Sequence, residues 1–202
     1  MSDDLTRAPL PERIETGRLL LRCWQPADAP RLKDAIDSSL AELQAWMPWA
    51  RDEPSPVEVL TTRLTGFRDE FRAGREWLYA VFDRADTRVL GGTGLHPRIG
   101  QDGLEIGYWI RTDAARRGYA SEAAATLTAV AFEFATIGRV EIRCDPCNLR
   151  SAAIPRRLGY QHRATRLADA RTPVGAPRDT MVWTVTRAEY TALGAAERWT
   201  GT

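Results

Sequence analysis

The 202-residue chain contains no apolar run approaching the roughly 18 residues that cross a bilayer. Its opening stretch, MSDDLTRAPLPERIE, has neither the basic nor the apolar segment of a secretion signal. A soluble, cytoplasmic protein with no membrane partner is expected. Excess charge of one sign is missing too: the formal net charge is +1, so the strong basic surplus of nucleic-acid-binding domains is absent and direct nucleic-acid recognition is not expected. Only three cysteines occur, Cys23, Cys144 and Cys147, an odd number that suits a reducing compartment. Cys144 and Cys147 have C-x-x-C spacing, but no second Cys/His cluster completes a four-ligand site. They read as strand end and loop, and no metal is expected. No Gly-Lys-Ser/Thr follows a loop glycine, which excludes a P-loop kinase. There is no internal repeat and no low-complexity stretch. The length allows one well-buried core, so a loose lead-in over residues 1–16 and a single domain over 17–202 are expected.

What is present alternates between the two periodicities. Residues 19–24, LLLRCW, read as a strand and Pro26 to Ile36 as a helix. The segment AELQAWMPWARDEPSP packs Trp46, Met47 and Trp49 around a proline and reads as irregular, its aromatics capping a core or lining a pocket. Val57, Leu60, Leu64, Phe67 and Phe71 recur at helical spacing, with Pro56 before and Gly74 after, predicting a helix over 57–72. Runs at 77–82, 89–95 and 104–110 form an antiparallel meander. A helix with apolar positions Ala120, Ala123, Ala124, Leu127, Val130, Ala131 and Phe134 follows, ending near Gly138. The strand 140–144 after it implies a parallel neighbour for 104–110. Asn148 to Gly159 reads as a short helix with Asn148 or Ser151 as N-cap, in which Pro155 removes one backbone hydrogen bond unless the helix starts late, at Ser151. Strands at 160–167 and 180–185 and a tail from Arg187, helical at first, complete the chain.

The stretch Leu104 to Glu122, LEIGYWIRTDAARRGYASE, organises the rest. A strand runs into a basic glycine-containing loop that opens a helix, whose N-terminal amides and partial positive charge hold anions, phosphates above all. Arg111, Arg116 and Arg117 add cationic charge, and Gly118 allows a tight turn.

The order EIGYW, then ARRGYASEA opening a helix, a short strand, and NLRSAAIPRRLGY resembles the GNAT superfamily of acyl-CoA-dependent N-acyltransferases, over about residues 17–187. LLLRCW and LQAWMPWA are similar, within it, to the branch of ribosomal-protein N-terminal acetyltransferases. The resemblance implies an α/β fold: a central mixed, mostly antiparallel sheet of about seven strands with a splayed parallel pair, flanked by helices. It implies acetyl-CoA as cosubstrate and direct attack of a primary amine, from a ribosomal or other protein N-terminus or a small molecule. Cofactor-binding positions carried over are Arg116, Arg117, Gly118, Tyr119, Ala120 and Ser121 for the pyrophosphate, Trp109 and Ile110 at the thioester, and Asn148 along the CoA arm. The family loop usually begins with Arg or Gln where Ala115 stands. Glu105 matches the general base, a carboxylate in an apolar strand that otherwise pairs with an arginine or faces solvent. His96, a lone histidine after a strand, reads as structural. The tyrosine that many relatives use as acid falls on Pro155; Ser151 matches the serine used in the ribosomal branch, so the resemblance implies Ser151 or water to protonate the thiolate. Asn148 and Ser151 also serve as helix caps. The Trp46 to Trp49 cluster, Trp77 and the Ala170 to Arg178 loop are expected to border the acceptor. A non-catalytic CoA-binding module, or transfer of another acyl group such as succinyl, remains as the alternative, and homodimerisation is common among relatives.

Overall fold

A computed structural model describes residues 10–172 and 174–196. Their apolar periodicities resolve into a single eight-stranded sheet with helices on both faces. The strands are β1 (Arg13–Glu15), β2 (Leu19–Cys23), β3 (Trp77–Asp83), β4 (Val89–His96), β5 (Gly103–Ile110), β6 (Arg139–Cys144), β7 (Gln161–Arg171) and β8 (Pro177–Thr186). The helices are α1 (Ala29–Asp37), α2 (Leu40–Trp46), α3 (Val57–Arg72), α4 (Tyr119–Glu133), α5 (Leu149–Arg157) and α6 (Arg187–Ala196). The sheet order is β1-β2-β3-β4-β5-β6-β8-β7, antiparallel throughout except for the β5–β6 pair. The expected mixed α/β architecture is observed, with eight strands in place of about seven.

The additional strand lies in the segment read as loose. Arg13–Glu15 pairs with Leu20 to Arg22, and Leu10 is buried beside it; three residues are too few for a periodic signal, and edge pairing with β2 supplies the order. Residues 1–9 lie outside the described part. Likewise AELQAW is helical: Leu43 turns into the core and Pro48 ends the run by starting a short 3₁₀ turn. α5 starts at Leu149 and holds Pro155 in its interior.

Side chains alternate across the pleat into two cores. One, with Leu127, Ala131, Val140 and Trp183, lies under α4; the other, with Leu20, Phe82, Leu32 and Leu64, lies under α1 and α3. Burial of a side chain such as Leu64 contributes roughly 1.5–3 kcal/mol. The functional cleft opens along the seam where the sheet's one parallel pair comes apart.

Candidate active site

Parallel pairing of β5 with β6 runs only from Gly103↔Arg139 to Ile106↔Ile142. Beyond it β6 stays with β8 as far as Cys144↔Met181, and β5 stays with β4 as far as Gly91↔Ile110. Gly107 to Ile110 therefore have a bare edge towards β6. The Arg111 N–H donates to the Leu90 carbonyl at 2.8 Å, so strand alternation sends the amides of Trp109 and Gly107 towards β4. Those of Tyr108 and Ile110 point into the gap. Ile110 thus offers the amide the sequence suggested. Trp109 does not; its amide belongs to the ladder, and its indole lines the cleft, 5.8 Å between ring centroids from Trp49.

The cleft, about 900 Å³, has an aromatic wall of Trp24, Trp46, Trp49, Phe67 and Trp109. Its floor is glycine: a Cβ on Gly92 would come within 2.7 Å of the Trp109 indole nitrogen, and one on Gly94 within 2.6 Å of Leu78. Side chains there would displace the Trp109 indole and Leu78 from the cleft wall. The Trp46 to Trp49 segment, Ala170 and Arg178 border the cleft as expected, whereas Trp77 is buried in the core under α4. Pro173 of the expected loop lies outside the described residues.

Glu105 is buried in this cleft with both oxygens engaged. Arg98 binds it through Nε, 3.0 Å from Oε2, and through Nη2 to Oε1, and Arg143 Nε stands 3.5 Å from Oε2. It is a paired carboxylate, the second of the two readings its sequence position allowed. His96 is its cross-strand partner, so both side chains project from the same face. His96 Nδ1 lies 2.6 Å from Glu76 Oε1.

Across the gap, Asn148 caps α5, its Oδ1 accepting from the Ser151 N–H at 3.0 Å. The Tyr108 hydroxyl reaches the Ser151 carbonyl at 3.1 Å and lies 3.3 Å from Ser151 Oγ. Burial pushes the Tyr108 phenol well above its ordinary range, which makes it a poor acid. Cys144 ends β6 buried, its thiol likewise pushed up by burial, while Cys147 is exposed in the following loop. This is the strand-end and loop reading of the C-x-x-C pair. Tyr108 was the residue the sequence did not single out, and its place in EIGYW gave no separate signal.

The glycine loop follows β5 by way of a short 3₁₀ turn. Arg111 does not serve it: its guanidinium is buried, donating to Asp34, Asp113, Ser38 and the Val89 carbonyl. Such a cation is a strut, because its donors are spent. Arg116 and Arg117 are exposed. Arg116 (φ +63°) and Gly118 (φ +79°) both take left-handed backbone, and Gly118 is the N-cap of α4 without any side-chain cap. The arrangement curls successive amides towards one point. Among the described residues, the N–H groups of Arg116, Arg117, Gly118, Tyr119, Ala120 and Ser121 donate to no protein acceptor, the next, Glu122, being the first to bond back, to the Gly118 carbonyl at 3.0 Å. Free amides at a helix N-terminus fit a pyrophosphate. Behind them Glu122 is buried, accepting from Thr16 Oγ1, the Arg18 amide and Arg18 Nε (2.7 Å), while Arg18 Nη1 donates to the Arg117 carbonyl at 2.8 Å.

A split parallel pair that leads into an uncapped helix N-terminus defines a class of acyltransferase folds. The chain matches the Acetyltransferase (GNAT) domain model over residues 18–161. It belongs to that family and is an acyl-CoA-dependent acetyltransferase. Among curated proteins it is similar to YdaF of Bacillus subtilis (strain 168), whose name describes a ribosomal N-acetyltransferase, at 27% identity over 149 residues, 70% of this chain and 77% of that protein. Among solved structures it superposes on RimL, a ribosomal L7/L12 α-N-protein acetyltransferase in complex with coenzyme A, with a TM-score of 0.77 at 20% identity, covering 88% of this chain and 97% of that one. It also superposes on the microcin C7 self-immunity acetyltransferase MccE in complex with acetyl-CoA and AMP, with a TM-score of 0.80 at 16% identity, covering 89% and 99%. At these identities the structures establish the shared fold.

Proposed function

We propose that the cleft binds acetyl-CoA and transfers its acetyl group directly to a primary amine of a protein N-terminus. One observation carries the reading: a file of unspent backbone amides, from Tyr108 and Ile110 on the bare edge of β5 to Arg116 through Ser121 at the start of α4. The first two suit the thioester oxygen, which becomes negative when the carbonyl is attacked. The others suit the pyrophosphate, with Arg116 and Arg117 adding charge from solvent. The departure at Ala115 is harmless on this account, since amides rather than a side chain do the binding. Asn148 and Ser151 stand on the far side of the gap, where Asn148 borders the CoA arm and the Ser151 hydroxyl protonates the departing thiolate. Glu105 could take the amine's proton only after Arg98, whose side chain is 57% exposed, swings away. The protein acceptor is supported by the ribosomal-protein enzymes to which the chain is similar. They also support a cytoplasmic setting, consistent with the absence, among the described residues, of any helix long and apolar enough to cross a membrane. Residues 17–202 are proposed to act as a single domain.

Thiol release from acetyl-CoA is the test, run over N-terminal peptides and small amines, with succinyl-CoA in parallel and a thermal shift for donor binding. Turnover of acetyl-CoA with α-amino peptides is expected. No CoA released with any amine, together with no thermal shift, would refute the proposal; turnover confined to small amines would refute its protein acceptor.

A further inference from the structure

We propose that His96, oriented by Glu76, is the catalytic base that takes the proton from the attacking amine; the inference rests on the acetyl-transfer reading of the same cleft.

The pair is assembled by the sheet register. β3 pairs β4 as Trp77↔Leu95 and Leu78↔Gly94, so the next position outward sets Glu76 opposite His96, while on the other side His96 pairs with Glu105. His96 is thus held between two carboxylates that are used differently. Glu105 is neutralised by Arg98 and Arg143, whereas the Glu76 oxygen sits 2.6 Å from His96 Nδ1. An ionised carboxylate only accepts, so the proton of this bond is on Nδ1 and the lone pair of the neutral ring is on Nε2. Nε2 makes no hydrogen bond among the described residues and is not sealed from solvent. It lies over the glycine floor of the cleft: a Cβ added to Gly107 would be 3.1 Å from it, and one on Gly94 3.3 Å. Gly107 immediately precedes Tyr108, whose amide is the first free one on the bare edge of β5. The lone pair therefore stands over the residue that directly precedes the oxyanion donor. Acyl transfer needs that juxtaposition of a base beside the point where the carbonyl is polarised.

In the step, His96 Nε2 takes a proton from the acceptor's ammonium. The freed nitrogen lone pair forms the C–N bond at the thioester carbon while the carbonyl electrons move to oxygen, held by the Tyr108 and Ile110 amides. When they return, the C–S bond breaks, and the thiolate leaves with its pair and takes a second proton from nitrogen through Ser151. His96 then loses its proton to water, and atoms and charge balance as amide, CoA thiol and one proton released.

Burial lowers the His96 pKa below its ordinary value of about 6.5, with Glu76 and Glu105 raising it and Arg98 lowering it. The shift favours the neutral ring that a base must be, and the acid limb of kcat/KM should lie below the ordinary imidazole value.

Three variants decide the matter, each first checked by thermal midpoint and by its shift with CoA. His96→Gln should retain the CoA shift, lose roughly 10²–10⁴ in kcat and lack the acid limb. Glu76→Gln should move that limb to lower pH, since Glu76 raises the His96 pKa, with Glu76→Asp recovering part of both effects. Glu105→Gln should move the limb the same way but less, since Glu105 also raises the His96 pKa without a hydrogen bond to the ring. Should His96→Gln not fold, the direction of the Glu76→Gln limb carries the test. A His96→Gln kcat within about threefold of wild type, or an acid limb that Glu105→Gln abolishes and His96→Gln leaves in place, would overturn the proposal. Wild type that binds CoA but releases none from acetyl-CoA would overturn the transfer reading on which it stands.

Discussion

At the scale of a residue, Pro155 shows how a liability is absorbed. Inside α5 it cannot donate to the Ser151 carbonyl one turn back, and an orphaned buried carbonyl costs about 1–3 kcal/mol. The Tyr108 hydroxyl, 3.1 Å from that oxygen, supplies the missing donor from the neighbouring sheet. The same bond ties α5, with Asn148 and Ser151, to the strand whose amides face the gap. Tyr108→Phe should accordingly cost about 1–3 kcal/mol by urea unfolding, because the carbonyl is left unpaired. In a Pro155→Ala background, where the helix regains its own amide donor, the same substitution should cost less than about 1 kcal/mol. Equal costs in the two backgrounds would show that the phenol and the proline are not coupled.

At the scale of an element, the N-terminus of α4 is held from behind so that its amides can be left unspent in front. Thr16 and Arg18, just ahead of β2, bind the buried Glu122 carboxylate, and the Arg18 guanidinium lies 5.1 Å from the centre of the Tyr119 ring. With Arg18 removed, the loop loses its link through the Arg117 carbonyl while the helix remains packed on the sheet. Arg18→Ala should raise the KM for acetyl-CoA roughly tenfold, about 1.4 kcal/mol, and leave kcat nearly unchanged. An unaltered KM would separate this latch from donor binding. The helix itself was legible in the sequence, since alanines and leucine recur on one face, and α3 was legible to its ends because proline and glycine bracket a clean 3.6-residue period. The latch was not, for Arg18 and Glu122 lie 104 positions apart and meet only once the sheet has formed. Nor could the sequence tell Arg111 from Arg116: both are arginines of one basic loop, and only packing makes the first a buried strut.

At the scale of the whole molecule, the family, the fold class and the splayed parallel pair could be read from the order of motifs, but the residue at which β5 and β6 part could not. That residue follows from a register set by long-range pairing, in which β6 stays with β8 along its whole length as it parts from β5. His96 reads as a lone histidine for the same reason, because its partner Glu76 lies 20 positions away across a hairpin. Two helical layers therefore depend on one sheet, and ion pairs at its margins hold them in place. The layer of α1 is joined to the sheet through Asp28, fully buried at the start of that helix. Asp28 accepts from Arg22 of β2 at 2.7 and 2.8 Å, from Arg31 of α1 at 2.6 Å and from the Gln25 amide at 2.9 Å. Arg22 also reaches Asp86 in the turn between β3 and β4. Burial on its own would raise the Asp28 pKa, but the Arg22 bonds and the Gln25 amide outweigh it and leave the carboxyl below its ordinary range. A carboxyl whose folded pKa is depressed stabilises the fold at pH values above its unfolded value of about 3.9, and that contribution is lost as pH falls through the folded value. Asp28→Asn should therefore cost on the order of 3 kcal/mol at pH 7, where Arg22 is left short of a partner in a largely buried site. By urea unfolding at pH 7, 4 and 3, the gap between wild type and variant should narrow towards acid, because only wild type has the ion pair to lose. A gap that stays constant down to pH 3 would mean that Asp28 holds the α1 layer by shape and neutral hydrogen bonds rather than by charge.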